Sequence, residues 1–264
     1  MNRPEGTREP PAGPEGAAAG RKDASSPDPG PAGTEHHIRV LRTARFRVLG
    51  DPADAEEVWF VLHGYGQLAE RFVRRFGGLP GVAPGRRAVV APEALSRFYV
   101  EDEGIGPHGP GSTVGATWMT RADRENEIRD YVEYLDRVAA RALDPARAPG
   151  AGSPIDGGAR RVVVLGFSQG AATASRWVTY GRIRPSQLVL WGGGLAVDLD
   201  DERARLALAG VQVRFVVGRT DGWADGRAEE SARRLASCGI ATQRIDFDGG
   251  HRVEAAVLSR HWPA

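Results

Sequence analysis

Five consecutive residues, Gly166-Phe167-Ser168-Gln169-Gly170, carry the clearest chemistry in the sequence. The apolar run Arg161-Val162-Val163-Val164-Leu165 precedes them, and the helix-like stretch Ala171 to Val178 follows. A serine between two glycines at a strand-to-helix turn is held in a strained conformation, with its hydroxyl lifted above the sheet edge. The next backbone N–H, that of Gln169, points to the same place. A serine hydroxyl is a weak nucleophile at neutral pH. It needs a base, and the base needs a partner that orients it.

Both partners are expected just past the C-terminal ends of later strands, because open α/β sheets build their sites along that edge. Of the six histidines, only His251 directly follows the last expected strand, with Gly249-Gly250 giving its loop room to reach across. His36 and His37 border the N-terminal segment, His63 precedes the serine, His108 falls in a loop and His261 lies near the C-terminus. For the acid, Asp221 closes the run Val211 to Val217 through a Gly-Arg-Thr turn. Asp198, one strand earlier, is its main competitor. Asp200 and Asp201 read as helix-start residues and Asp225 as a cap, while Asp246 and Asp248 lie too close to His251 in the chain to be obvious partners.

Attack on a carbonyl creates an oxyanion that needs two aimed donors. The Gln169 N–H is one. The loop His63-Gly64-Tyr65-Gly66, after the run Val58 to Leu62, offers the Tyr65 N–H as the other, with His63 bracing the loop. Phe98, Tyr99, Trp118, Met119, Trp191 and Trp223 fall in or beside loops on the same edge. Aromatic side chains offer large apolar contact at low entropic cost, so these six are candidate substrate contacts for a short or medium acyl group or an aromatic ester. Few positive charges flank these loops, so a phosphate-bearing substrate is not indicated.

The elements that would position these residues follow from the apolar pattern. Ile38 to Leu49 alternates apolar and basic residues, as in one or two early antiparallel strands. Val58 to Leu62 and Ala88 to Ala91 read as buried strands, and Val162 to Leu165, Leu188 to Trp191, Val211 to Val217 and Thr242 to Phe247 read as further strands. Helical patterns lie between them, at Leu68 to Phe76, from Thr120 as N-cap to Ala142, and at Ala228 to Ser237. Ser96 to Thr117 and Asp144 to Ala159 read as loops. Alternating strands and helices predict a mostly parallel, doubly wound α/β sheet with helices on both faces.

Composition narrows the classes. The chain has 264 residues and a net charge of +1, which gives no field favouring nucleic acid or an anionic membrane. Its one cysteine, Cys238, allows no disulfide within the chain and reads as a packed thiol. No metal-ligand spacing and no phosphate loop or dinucleotide fingerprint occurs, so neither metal nor cofactor is expected. No run approaches a membrane span, and the N-terminus lacks the apolar core of a secretory signal. Residues 1–34 contain seven prolines, six glycines and no Val, Ile, Leu, Phe, Tyr or Trp. Such a segment is expected to form a disordered tail, leaving residues 35–264 as one domain.

Leu62-His63-Gly64-Tyr65-Gly66-Gln67, Gly166-Phe167-Ser168-Gln169-Gly170, Gly218-Arg219-Thr220-Asp221 and Gly249-Gly250-His251 together resemble the phospholipase/carboxylesterase family of α/β-hydrolases, which includes the acyl-protein thioesterases. The resemblance spans roughly residues 38–264. It implies the α/β-hydrolase fold, Ser168 as nucleophile, Asp221 as acid, His251 as base, and the Tyr65 and Gln169 N–H groups as the oxyanion hole. Two positions depart from it. Tyr65 stands where the family commonly has a small or aliphatic residue, and Gly115 to Thr120 matches the family's tryptophan-bearing segment only loosely.

The resulting expectation is a cytoplasmic serine carboxylesterase, monomeric or homodimeric, acting on a small-molecule ester without a cofactor. A thioesterase of acyl-proteins or acyl-thiols, or a lysophospholipase, would use the same three residues. A binding protein with the fold but without activity is the reading from a different class.

Overall fold

The computed structural model describes residues 33–83, 85–100, 111–144 and 153–264. Two units are distinguished, Met1–Arg42 and Thr43–Ala264. In the first, residues 33–42 form no helix or strand; the expected disordered tail otherwise lies outside the described residues, as does His108.

The second unit is built on one seven-stranded sheet. Its strands are β1 (Phe46–Leu49), β2 (Glu57–Leu62), β3 (Arg87–Pro92), β6 (Arg161–Phe167), β7 (Gln187–Trp191), β8 (Gln212–Gly218) and β9 (Thr242–Phe247), in the order β1-β3-β2-β6-β7-β8-β9. Every pairing is parallel except β1 with β3. A separate antiparallel pair joins β4 (Ser96–Tyr99) to β5 (Val114–Thr117). The helices are α1 (Ala69–Val73, continued by a short 3-10 turn to Phe76), α2 (Arg124–Leu143), α3 (Gln169–Tyr180), α4 (Asp201–Ala207), α5 (Gly222–Ser237) and α6 (Ala255–His261).

Beyond their first residues, Glu57, Arg161 and Gln187, the central strands β2, β6 and β7 carry no polar side chain, and both of their faces are covered. Val58, Phe60 and Leu62 of β2 point to one face with Val162 and Val164 of β6, where Leu135 of α2, Trp177 of α3 and Leu235 of α5 close over them. Trp59, Val61, Val163 and Leu165 point to the other, under Phe72 of α1, Val257 and Leu258 of α6, and Trp262. Each fully buried large side chain of this kind contributes about 1.5–3 kcal/mol relative to exposure. The parallel strands therefore run in one direction, and the turns after β2, β6, β7, β8 and β9 collect along a single edge.

Four sequence expectations change. Only Phe46–Leu49 of the early alternating stretch is a strand, while Ile38, Val40 and Leu41 are exposed and unpaired with any strand; alternation alone makes no ladder without an edge to bond. Ser96 to Thr117 contains the β4–β5 pair rather than only loop, its four-residue strands being too short to register as a pattern. Helix α2 begins at Arg124 with Asp123 as N-cap, not at Thr120, whose hydroxyl instead accepts from the Ala122 N–H at 3.2 Å. The cap of α5 is Asp221 itself, whereas Asp225 pairs with Arg244 at 2.5 Å. Cys238 follows α5 and packs against the first core face. No described helix is long and apolar enough to cross a membrane.

Candidate active site

Ser168 sits between β6 and α3 with φ 54° and ψ −119°, and it is the one non-glycine residue with positive φ among those described. Such a conformation costs on the order of 1–3 kcal/mol, and it persists only where the surroundings enforce it. The flanking glycines do that by leaving space. A Cβ on Gly166 would stand 2.1 Å from the Gly170 carbonyl oxygen, and one on Gly170 would stand 2.3 Å from the Leu62 carbonyl oxygen. The turn is thereby wedged between β2 and the first turn of α3. The Ser168 N–H donates to the Trp191 carbonyl at 2.9 Å, which ties the turn to β7 as well.

His251 and Asp221 meet this serine. His251 Nε2 lies 2.9 Å from Ser168 Oγ, and Nδ1 lies 2.5 Å from Asp221 Oδ2. Asp221 is buried and His251 is partly exposed. The other carboxylate oxygen, Oδ1, accepts from the Ala224 N–H at 3.2 Å and so caps α5. With one oxygen fixed by a helix and the other by the imidazole, the carboxylate favours the tautomer that carries its proton on Nδ1. Nε2 is then left free to accept from the serine. The acid and base turns are also laced together: the Thr220 N–H and hydroxyl both bond the Gly249 carbonyl, at 3.1 and 2.9 Å.

Asp198 is engaged elsewhere. Its oxygens take Arg176 Nε at 3.0 and 3.2 Å and Nη2 at 2.6 Å, with Arg124 at 2.9 Å. Burial alone would raise this carboxyl, but the bonds and charge of Arg176 and Arg124 hold it below the usual carboxylate range. It has no contact with His251.

The loop after β2 comes close to the serine: a Cβ on Gly64 would stand 3.2 Å from Ser168 Cβ. His63 is buried, and burial lowers its pKa to about 4. Its Nδ1 lies 2.8 Å from the Gly64 carbonyl, and its Nε2 accepts from the Ala94 N–H at 3.1 Å, so the ring is a neutral brace. The Tyr65 N–H has no acceptor among the described residues, and the Gln169 N–H belongs to the unpaired first turn of α3. Strand β5 braces both loops. Gly66 N–H bonds Ala116 O at 2.9 Å and Ala116 N–H bonds Gln67 O at 3.2 Å. The Gln169 side chain donates to Thr117 Oγ1 at 2.8 Å and accepts from the Trp118 N–H at 3.2 Å.

The six candidate substrate contacts divide. Trp118 and Trp191 are corrected: both are buried in the core, Trp118 donating to the His63 carbonyl at 2.8 Å and Trp191 to the Arg252 carbonyl at 2.9 Å. They hold the loops rather than face solvent at the serine. Met119 is half-buried, and its carbonyl receives the Thr117 hydroxyl at 2.9 Å. Phe98 stacks on the exposed Tyr65 ring with centroids 5.1 Å apart, and Tyr99 is exposed. Trp223 is 54% exposed and meets the His251 ring edge-on at 5.8 Å.

Sequence reasoning missed the turn after β7. Gly192 has φ +58°, and a Cβ there would stand 3.3 Å from the His251 ring; one on Gly193 would stand 2.9 Å from the Ser168 carbonyl oxygen. Three successive glycines after an apolar run were the available signal. A cleft of about 270 Å³ lined by Glu57, Arg87 and Arg161 lies at the opposite end of the strands. Arg87 there is committed to the Trp262 and Pro263 carbonyls, at 2.8 and 2.7 Å.

No protein-family model and no curated protein sequence matches the chain. Solved structures do. Acyl-protein thioesterase 2 from Zea mays is 17% identical, with a TM-score of 0.53 over 80% of this chain and 92% of that one. A carboxylesterase from Mesorhizobium loti is 19% identical, with a TM-score of 0.58 over 82% and 93%. The Bacillus cereus carboxylesterase is 14% identical, with a TM-score of 0.55 over 82% and 91%. These likenesses establish the α/β-hydrolase fold that the sequence led us to expect.

Proposed function

We propose that the protein is a serine hydrolase that cleaves carboxylic esters of short to medium acyl or aromatic acids through an acyl-Ser168 intermediate. The observation that carries this reading is the continuous chain Ser168 Oγ, His251 Nε2, His251 Nδ1, Asp221 Oδ2, at 2.9 and 2.5 Å. Ser168 Oγ attacks the carbonyl carbon while His251 Nε2 takes the hydroxyl proton. The oxyanion forms against the Tyr65 and Gln169 N–H groups, each worth about 2.7–4 kcal/mol in comparable sites. His251 returns the proton to the departing oxygen as the carbon–oxygen bond breaks. Water then attacks the acyl-serine, gives its proton to His251, and Ser168 recovers it. Phe98, Tyr99, Met119 and Trp223 are the substrate contacts of this proposal.

The likeness to the Zea mays acyl-protein thioesterase supports a second reading, in which the same residues cleave a thioester. The test is intact-mass analysis and peptide mapping after exposure to a fluorophosphonate. One adduct, on Ser168, is expected. Folded protein that takes none refutes an activated nucleophile. Paired p-nitrophenyl esters and acyl thioesters of equal chain length then separate the two readings.

A further inference from the structure

We propose that Trp223 and Arg227 of α5 form a subsite for the leaving-group half of the substrate, and that it prefers an alcohol or phenol bearing a carboxylate. This rests on the serine-hydrolase reading above. The departing oxygen must come within hydrogen-bond reach of His251 Nε2 to be protonated. The His251 ring has Phe167 on one side, with centroids 4.9 Å apart, and Trp223 on another, edge-on at 5.8 Å. Phe167 is buried and Trp223 is exposed, so a group leaving past the imidazole toward solvent meets Trp223.

Trp223 is not a bare apolar surface. The Arg227 guanidinium lies over its ring, 4.7 Å from the centroid. No carboxylate pairs with Arg227 among the described residues. The other charged groups on this rim are engaged with one another: Arg219 with Asp248 at 3.0 Å, Arg244 with both Asp225 at 2.5 Å and Asp246 at 2.9 Å, and Arg252 with Glu254, while the Asp221 carboxylate is held by His251 Nδ1 at 2.5 Å. The Arg227 backbone is itself fixed, its carbonyl accepting the Ser231 hydroxyl at 2.7 Å, while the Ser231 hydroxyl also takes the Leu195 N–H at 2.9 Å behind the glycine turn of β7. One cation without a salt-bridge partner among the described residues therefore stands over an aromatic ring beside the base. No hydrogen bond of the Arg227 guanidinium is found among the described residues, and the fork of N–H groups on a guanidinium matches a carboxylate.

The experiment compares 4-acetoxybenzoate with a neutral phenyl acetate of matched leaving-group pKa, at low and high salt. The wild-type protein is expected to favour the acidic ester, and the preference should fade at high salt as exposed charges are screened. Arg227→Ala should lower the ratio of the two kcat/KM values about five- to tenfold. Arg227→Glu should reverse the preference, and Arg227→Lys, keeping the charge but not the fork, should retain part of it. Equal kcat/KM values for the two esters in the wild type, or a ratio that Arg227→Ala leaves unmoved, overturn the subsite while the serine-hydrolase reading stands. Failure of the wild type to cleave either ester overturns both.

Discussion

Asp221 and Asp198 are both aspartates after successive parallel strands, and their surroundings predict opposite phenotypes for the same substitution. In Asp221→Asn, the Ala224 N–H still requires an acceptor, and the bond now made to Oδ1 at 3.2 Å assigns that position to the amide oxygen. The NH2 group then faces His251 Nδ1, which must become an acceptor. The ring proton moves to Nε2, which points at Ser168 Oγ and can no longer take its proton. A substitution of this kind in a comparable triad lowers kcat by about 10⁴, or ~5.5 kcal/mol of barrier. Stability should hardly move, because Asn and Asp are equivalent helix N-caps.

Asp198→Asn does the reverse. It removes the charge that faces Arg176 through three contacts of 2.6–3.2 Å, and the Arg176 side chain is only 6% exposed. Removing one member of a buried pair costs about 3–5 kcal/mol. Asp198 is 28% exposed and the amide keeps one acceptor, so about 2 kcal/mol is a better figure. For a domain of this size that corresponds to a Tm lowered by about 4–8 °C, with turnover at a permissive temperature changed less than about threefold. Steady-state kinetics and thermal denaturation on both variants decide the matter. A variant pair in which Asp198→Asn abolishes turnover at unchanged Tm, or in which Asp221→Asn keeps a tenth of the rate, refutes the assignment of the acid.

Two further outcomes follow from groups outside that pair. His63 has its pKa lowered from 6.5 to about 4 by burial, so between those pH values the unfolded chain binds a proton that the native protein does not. Stability from this group is present above pH 6.5 and falls as the pH drops through the window, by about 3 kcal/mol in all; urea titrations across it should show this slope, and His63→Asn should flatten it. Ser168→Gly removes the nucleophile and also the strain of φ 54°. Relief of about 1–3 kcal/mol outweighs the ~0.5–1 kcal/mol entropic penalty of glycine, so the inactive variant should melt at a higher temperature than the wild type, and a lower Tm would show that the serine conformation is not strained.

How much of this was legible before the structure depends on what each residue needs. β9 could be bounded at Thr242–Phe247 from its pattern, and Val58 to Leu62 read as doubly buried because every position is apolar. Ser168, Asp221 and His251 could be singled out as candidates because each stands just past the end of a strand-like stretch. Direction was not visible. Trp118 and Trp191 stand beside the right loops, but a loop position does not say whether an indole turns to solvent or to the core. Asp198 could not be set aside until Arg176, on a helix 22 residues earlier, was seen to bond it. The β4–β5 pair was hidden because four-residue strands carrying Gly115 show too few alternations to count.

That small pair has a consequence for how the protein would fail on heating. It lies outside the seven-stranded sheet, yet its second strand is bonded both to the Gly66–Gln67 turn and, through Thr117, to Gln169. β5 is buried but β4 is only half-buried, and segments with few buried contacts open at free energies well below global unfolding. In the proposed enzyme, the Tyr65 donor would come loose when β4 and β5 fray, while the Gln169 N–H, the sheet and its circular-dichroism signal remain intact. Inactivation and melting would then be two separate transitions, and the useful thermal limit of the protein would be set by eight strand residues outside its main sheet.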